Sequence, residues 1–196
     1  MDIAKEILFL SFNFLLIMNK ALFLIFIPFI MSVSKIVIFN FNSNSTISDW
    51  QVIDDVVMGG KSKGNFKLND NGFGEFSGVV SLENNGGFSS LRYGFEALRI
   101  EGLSNIVLKV KGDGNTYQLR IKDAANKSYS YMSEFSTKEN EWQDIRIPLK
   151  SMFPVFRGRK LEKDNFSADE IEQIVFLIGN KIGQKFKLEI DTIYLQ

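Results

Sequence analysis

The sequence predicts an all-β fold, a β-sandwich or barrel, and three observations predict it. Roughly nine or ten short runs of β-branched and aromatic residues alternate with polar ones at a period of two. Turn residues (Asn, Asp, Gly) separate the runs every 8–12 residues or so, the spacing of antiparallel strands in a sandwich. No long helical period competes, and the chain holds no internal repeat, low-complexity tract or second domain.

Taken in order, Lys35–Phe41 is the first strand, followed by the polar loop Asn42–Ser48. Trp50, Val52 and then Val56-Val57 bracket the acidic pair Asp54-Asp55. Asn71-Gly72 turns the chain from Phe66-Lys67-Leu68 into a strand over Gly74–Leu82, with Phe76, Val80 and Leu82 on one face. Asn84-Asn85-Gly86-Gly87 carries the signal of a hairpin turn. Beyond it Ser89, Leu91, Tyr93 and Phe95 alternate with Phe88, Ser90 and Arg92. Ile106, Leu108 and Val110 form the next strand, and Gly112-Asp113-Gly114-Asn115 turns it into Tyr117, Leu119 and Ile121. Tyr129, Tyr131 and Phe135 follow, then Ile145, Ile147 and Leu149, with Pro148 marking an edge or an end. Lys150–Asn165 reads as irregular, and Ser167-Ala168-Asp169-Glu170 as one short helical turn. Ile174–Ile178 is continuously apolar, the pattern of a central strand buried on both sides. In the last strand Phe186, Leu188 and Ile190 alternate before the register slips to Ile193 and Leu195, which predicts a bulge near Asp191-Thr192.

Residues 1–34 read differently, as a non-globular hydrophobic segment in front of a single domain spanning 35–196. From Met1, two apolar runs interrupted by Asn19-Lys20 form a membrane-inserted anchor with a charge near its middle. From Met18, the same text is a signal peptide: a basic start at Lys20, an apolar stretch Ala21–Met31, and Ser32-Val33-Ser34 for cleavage. From Met31, the chain begins just before the first strand and would be cytoplasmic. The expected address is therefore exported or membrane-anchored through this segment, or cytoplasmic with the late start.

Composition excludes several chemistries. The 196 residues contain no Cys and no His, which removes disulfides, thiolate catalysis, His-dependent triads and the usual zinc ligands. Lys+Arg and Asp+Glu are 23 each, so the basic excess of a nucleic-acid binder is missing. Gly60-Lys61-Ser62 imitates the end of a phosphate loop, but Asp55 stands where that motif needs a glycine. Asn44-Ser45-Thr46, Asn126-Lys127-Ser128 and Asn165-Phe166-Ser167 fit the glycosylation sequon, which chance explains in a chain rich in Asn and Ser. No cofactor is expected.

The remaining polar residues give binding candidates. Asp54 and Asp55 are neighbours, so in a strand they point to opposite faces and cannot act as a carboxylate pair. Beside the glycines they read as turn or capping residues; the sharper alternative turns one into a cleft or pairs it with Arg157 or Arg159. Arg92, Gln118 and Arg120 lie on the polar face of strands that look adjacent. They form either a solvated face or, with Tyr129 or Trp142 nearby, a surface that grips a polar ligand. Arg157-Gly158-Arg159 is the best loop candidate. Asp191 with Glu83 or Asp55 is a possible structural calcium set, from hard oxygen ligands.

Several pieces, in their order and spacing, resemble the signature of the complex I intermediate-associated protein family, the thirty-kilodalton class. They are Trp50, Asp54 through Met58-Gly59-Gly60, Ser62, Phe76-Ser77-Gly78, and Ser81-Leu82-Glu83-Asn84-Asn85-Gly86-Gly87-Phe88. They continue with Arg92, Gly112-Asp113-Gly114 with Tyr117, Phe156-Arg157-Gly158-Arg159, and Leu188-Glu189-Ile190-Asp191. The resemblance covers about residues 36–195. It implies a galactose-binding-like jelly-roll sandwich and a non-catalytic assembly or chaperone-like factor for a membrane-associated protein complex, with a protein partner and no established active site. One departure is the leader, which lacks the Arg-rich pattern of a mitochondrial transit peptide. The alternative is an exported carbohydrate-binding module using the polar sheet face. A glycoside-active enzyme with paired carboxylates stands third. Nucleic acid is not an expected partner, and membrane contact is expected only through residues 1–34.

Overall fold

A computed structural model describes residues 35–196. The readings of the hydrophobic leader therefore lie outside the described residues. Among the described residues, no helix is long and apolar enough to cross a membrane.

Among the described residues, thirteen strands form two antiparallel sheets facing each other, the all-β sandwich that the period-two runs predict. The first sheet contains β1 (Ile36–Asn40), β3 (Lys63–Leu68), β4 (Gly74–Val80), β6 (Asn105–Lys111), β9 (Trp142–Pro148) and β13 (Gln184–Leu195). Its order is β3-β4-β13-β6-β9, with β1 pairing on β13. The second contains β2 (Trp50–Asp54), β5 (Ser89–Arg99), β7 (Thr116–Lys122), β8 (Ser130–Ser136), β10 (Phe153–Phe156), β11 (Arg159–Lys160) and β12 (Glu170–Ile178), in the order β11-β10-β8-β7-β12-β5-β2.

The core lies between the sheets. Phe76, Leu108, Val110, Leu188 and Ile190 face it from the first sheet. Leu91, Tyr117, Leu119, Ile121, Ile174 and Phe176 face it from the second. Full burial of each large apolar side chain contributes about 1.5–3 kcal/mol. That energy fixes register, because a one-residue slip would turn every inward residue of a strand outward. In β7 the inward set Tyr117, Leu119 and Ile121 forces Gln118, Arg120 and Lys122 onto the outer face.

The apolar run at Ile174–Ile178 is central, with β12 flanked by β7 and β5. Pro148 ends β9, an edge strand that has no ladder partner beyond it to miss the proline's N–H. The register of β13 against β6 shifts between Ile190 and Thr192, the bulge that the slipped alternation predicts.

Three local expectations need correction. Asn84-Asn85-Gly86-Gly87 is not a hairpin turn: it carries the chain from β4 in one sheet to β5 in the other. A 3₁₀ turn at Glu83–Asn85 makes this corner, with Asn84 and Asn85 at φ of 56° and 60°. Asn tolerates that left-handed conformation, so the same residues serve a corner as well as a hairpin. Ser167–Glu170 forms no helical turn. Phe166 N donates to Met152 O and Ile100 N to Asp169 O, so this stretch is tied in as extended backbone. Within the supposedly irregular Lys150–Asn165, β10 and β11 form a small hairpin whose two connecting residues, Arg157 and Gly158, have φ of 47° and 75°. Positive φ at both positions is the backbone of a tight hairpin turn whose twist suits its strands.

Candidate functional site

Two polar regions emerge from the sequence candidates, one sealed and one open. In the sealed region, Asp55 starts a 3₁₀ turn (Asp55–Met58) after β2 and is completely buried. Its Oδ1 accepts from Ser62 N (2.9 Å), and its Oδ2 from Ser62 Oγ (2.5 Å), Gly87 N (2.6 Å) and Phe88 N (3.2 Å). Burial alone would raise its pKa. The Ser62 hydroxyl and the Gly87, Ser62 and Phe88 amides outweigh that and hold the carboxyl below its ordinary range. One carboxylate therefore ties together two segments some thirty residues apart in the chain.

The glycines follow from the same contact. A Cβ on Gly60 would lie 2.3 Å from Asp55 Oδ1, and one on Gly86 2.5 Å from Asp55 Oδ2. Gly59 closes the 3₁₀ turn at φ 91°, and Asn84 Nδ2 reaches across to Gly59 O at 3.1 Å. Asp54 clamps in the same manner, accepting from Gly64 N (2.9 Å) and Ser89 Oγ (2.6 Å).

Asp113 is a third clamp. It accepts from Tyr117 Oη (3.1 Å), Asn115 N (3.1 Å) and Lys187 N (2.7 Å), while Gly112 sits where a Cβ would meet Thr137 at 2.3 Å. Gly114, at φ 85°, donates to Thr137 Oγ1 at 3.2 Å. Burial, with Asp113 alongside, pushes the Tyr117 hydroxyl pKa up. Trp50 is a core residue stacked on Tyr93, with ring centroids 4.6 Å apart.

These placements correct the sharper reading of the acidic pair. Neither Asp54 nor Asp55 pairs with Arg157 or Arg159, because their oxygens are already taken by backbone amides and serine hydroxyls. The calcium set is not assembled either. Glu83 bonds Lys61 at 2.5 Å beside Gln184 and Lys185, whereas Asp191 pairs with Lys109 at 2.7 Å, six residues further along β13. At strand rise that is about 20 Å away. Among the described residues, no group of three or more acidic side chains is arranged to hold a metal.

The open region is a cleft of about 560 Å³ over the outer face of the second sheet. Cross-strand register builds its floor. Val175 on β12 sits opposite Arg92 on β5 and Arg120 on β7. Two positions along, Leu177 lies between Ser90 and Gln118; two positions the other way, Gln173 lies between Gly94 and Lys122. Residues in such rows share a face, so Arg92, Gln118, Arg120, Lys122 and Gln173 surround Val175. The Arg157-Gly158 turn forms one wall, with Phe156 and Tyr129; Met58, Gly87 and Phe88 of the glycine corner border the cleft elsewhere.

Arg120 donates from Nε (3.1 Å) and Nη2 (2.6 Å) to Gln118 Oε1, and Gln118 Nε2 donates to Glu134 at 3.3 Å. Burial draws the Arg120 pKa down. It does the same for Lys122, with Arg92 adding repulsion. The lining contains five cations (Arg92, Arg120, Lys122, Arg157, Lys181) and no Asp or Glu. The paired carboxylates of a glycosidase are thus missing from this cleft.

The structure places Arg92, Gln118 and Arg120 of the polar face around one cleft, with the loop candidate Arg157 in its wall. Arg159 is exposed on β11 and does not line the cleft. Tyr129 is there, but Trp142 belongs to the edge of the opposite sheet, packed against Phe73 at 4.7 Å. Lys122, Gln173 and Lys181 were missing from the sequence candidates. Lys122 was legible in principle, since it continues the alternation of Gln118 and Arg120; Gln173 and Lys181 carry no such signal.

Fold and cleft together define a class: a jelly-roll β-sandwich with an open cleft on one sheet. The chain resembles the family 11 carbohydrate-binding module from Clostridium thermocellum, with a TM-score of 0.62 and 18% identity over 84% of this chain and 96% of that one. An agarase chain aligns with a TM-score of 0.56 and 13% identity, over 84% of this chain and 24% of its own. At such identities the likeness is one of fold. The family is fixed by sequence: residues 39–190 match Complex I intermediate-associated protein 30 (CIA30), and the chain belongs to that family.

The mouse mitochondrial complex I intermediate-associated protein 30 is 26% identical over 180 residues, covering 80% of this chain and 55% of the relative. A probable counterpart from Caenorhabditis briggsae, also designated mitochondrial, is 27% identical over 96 residues, covering 46% of this chain and 28% of its own length. The chain thus spans about half, or less, of the curated relatives it matches. Their mitochondrial designation gives no support to export or membrane anchoring of this chain.

Proposed function

We propose that this chain is a non-catalytic binding module that acts as an assembly or chaperone-like factor for a membrane-associated protein complex, with intermediates of complex I as its clients. Family membership supports the role, and the outer face of the second sheet supports the place. The observation that carries the reading is the cleft itself. The half-buried Arg92 and Arg120, an amide and exposed Phe156 converge on one open surface, the composition of a contact site.

The test is affinity capture of the tagged full chain from solubilised respiratory membranes. Complex I subunits should co-purify, and recovery should fall about tenfold with Arg120→Ala, the scale for losing a buried charged contact. Undiminished recovery with that variant would remove the cleft from the account; absence of complex I subunits altogether would remove the client.

A second reading, carbohydrate binding, rests on Tyr129 and Phe156 lying beside Gln118 and Gln173 in the same cleft. It requires a neutral oligosaccharide to bind with an affinity that depends on those aromatic rings.

A further inference from the structure

Several lysines of the first sheet meet carboxylates: Lys109 with Asp191 (2.7 Å), Lys111 with Glu189 (2.7 Å), and Lys187 with both Glu75 (2.8 Å) and Glu189 (3.2 Å). In the cleft of the second sheet the cations do not. Among the described residues, none of Arg92, Arg120, Lys122, Arg157 and Lys181 has a carboxylate within 4.0 Å.

The missing partners are specific to buried atoms. Arg92 Nε is buried and has no hydrogen-bond partner, and neither has Gln173 Oε1 across the floor. Among the described residues, the only acceptor for Arg120 is the neutral amide of Gln118, and the Lys122 ammonium is shared between the carbonyls of Ala125 (3.1 Å) and Lys127 (2.5 Å). A buried cation without a counter-charge is costly, and a buried donor without an acceptor adds to that cost. Such an arrangement persists when something from outside completes it.

We propose that the cleft is an oxyanion site, taking a ligand that carries a carboxylate or phosphate group. That group sits over Val175 between Arg92 and Arg120, with Lys122 and Arg157 adding charge from the sides. The geometry favours an acceptor-only group. Arg92 and Arg120 flank Val175 from the two neighbouring strands, so their Cα atoms stand about 10 Å apart, and both side chains line the same cleft. Planar guanidinium groups match the oxygens of carboxylate or phosphate in pairs. Sugar sites commonly set carboxylates opposite hydroxyls that both donate and accept; this lining has five cations and no carboxylate, beside two glutamine amides and the hydroxyls of Ser90, Ser128, Tyr129 and Ser130. The free Gln173 Oε1 asks for one donor on the ligand next to its anionic group. This inference deepens the reading of the cleft as the contact surface and rests on it for the location alone, not for the client.

The test uses the full chain with arginine side chains labelled with nitrogen-15, titrated separately with inorganic phosphate, citrate, a hexaglutamate peptide and a neutral mixed-linked glucan tetrasaccharide. At least one anion should shift the Arg92 Nε–H resonance saturably, and added salt should weaken the effect. Arg120→Ala and Arg92→Ala should each weaken that anion about tenfold or more, whereas Arg159→Ala, outside the cleft, should change it less than about twofold. A phosphate-only response names a phosphate-bearing ligand; a response to citrate or hexaglutamate names a carboxylate. If no anion shifts the resonance, if the double arginine variant binds as well as wild type, or if only the neutral sugar binds, the oxyanion site is refuted. Loss of anion binding with Arg120-dependent capture of complex I subunits intact would sink this inference and leave the client reading standing. The opposite pattern would sink the client and leave the site.

Discussion

The glycine corner and the cleft lie side by side, yet they treat charge in opposite ways. At the corner, Asp55 is buried and accepts from one hydroxyl and three backbone amides. In the cleft, Arg92 keeps a buried donor with nothing to bind it. One region uses a charge to join two parts of the chain; the other leaves charge unspent on an open face. The difference teaches that the residues most conspicuous in the sequence hold the scaffold, and plainer ones line the open cleft.

Several substitutions would break or sharpen that contrast. Asp55→Ala leaves four hydrogen-bond donations, two of them buried, without their acceptor and should cost about 3–5 kcal/mol in urea unfolding. A cost under 1 kcal/mol or so would mean that the corner is not a clamp. Gly60→Ala drives a methyl into the Asp55 carboxylate and should cost about 2–3 kcal/mol by the same assay.

Acid titration sharpens the point further. The folded-state pKa of Asp55 is depressed, so its contribution is fully present above the ordinary carboxylate pKa of about 3.9 and is lost as pH falls through the folded value. Stability should therefore decline on acidification below about pH 4, and Asp55→Asn should be less stable than wild type at neutral pH with a flatter decline. The cleft should behave in the reverse sense. Arg92→Ala and Arg120→Ala remove charges that have no carboxylate partner, and each should change stability by less than about 1 kcal/mol. Trp142→Ala, at the edge of the opposite sheet, should leave any Arg120-dependent binding untouched.

Much of the fold was legible because strand periodicity and core burial are one fact seen twice. Tyr117, Leu119 and Ile121 alternate in the sequence and face the core in the structure. The corner at Asn84–Gly87 was misread as a hairpin because both structures need left-handed Asn or Gly, and only the sheet to which each flanking strand belongs separates them. The hairpin tipped by Arg157-Gly158 was missed because β11 is only two residues long, too short to show a period. In the site, Arg92, Gln118 and Arg120 were legible as outward polar residues and Arg157 as a loop residue. Their convergence depends on β12 lying between β5 and β7, a long-range pairing that local sequence does not encode. For the same reason Asp55 invited a binding role: its partners lie at Ser62 and at Gly87-Phe88, far along the chain.

The division between scaffold and contact surface is tested most directly by one calorimetric titration into the Arg92→Ala/Arg120→Ala double variant, using whichever of phosphate, citrate and hexaglutamate shifts the Arg92 resonance of wild type, alongside its urea unfolding curve. The account predicts an unfolding midpoint close to wild type and no measurable binding heat where wild type gives a saturable one. A binding isotherm that persists in the stably folded double variant would contradict it.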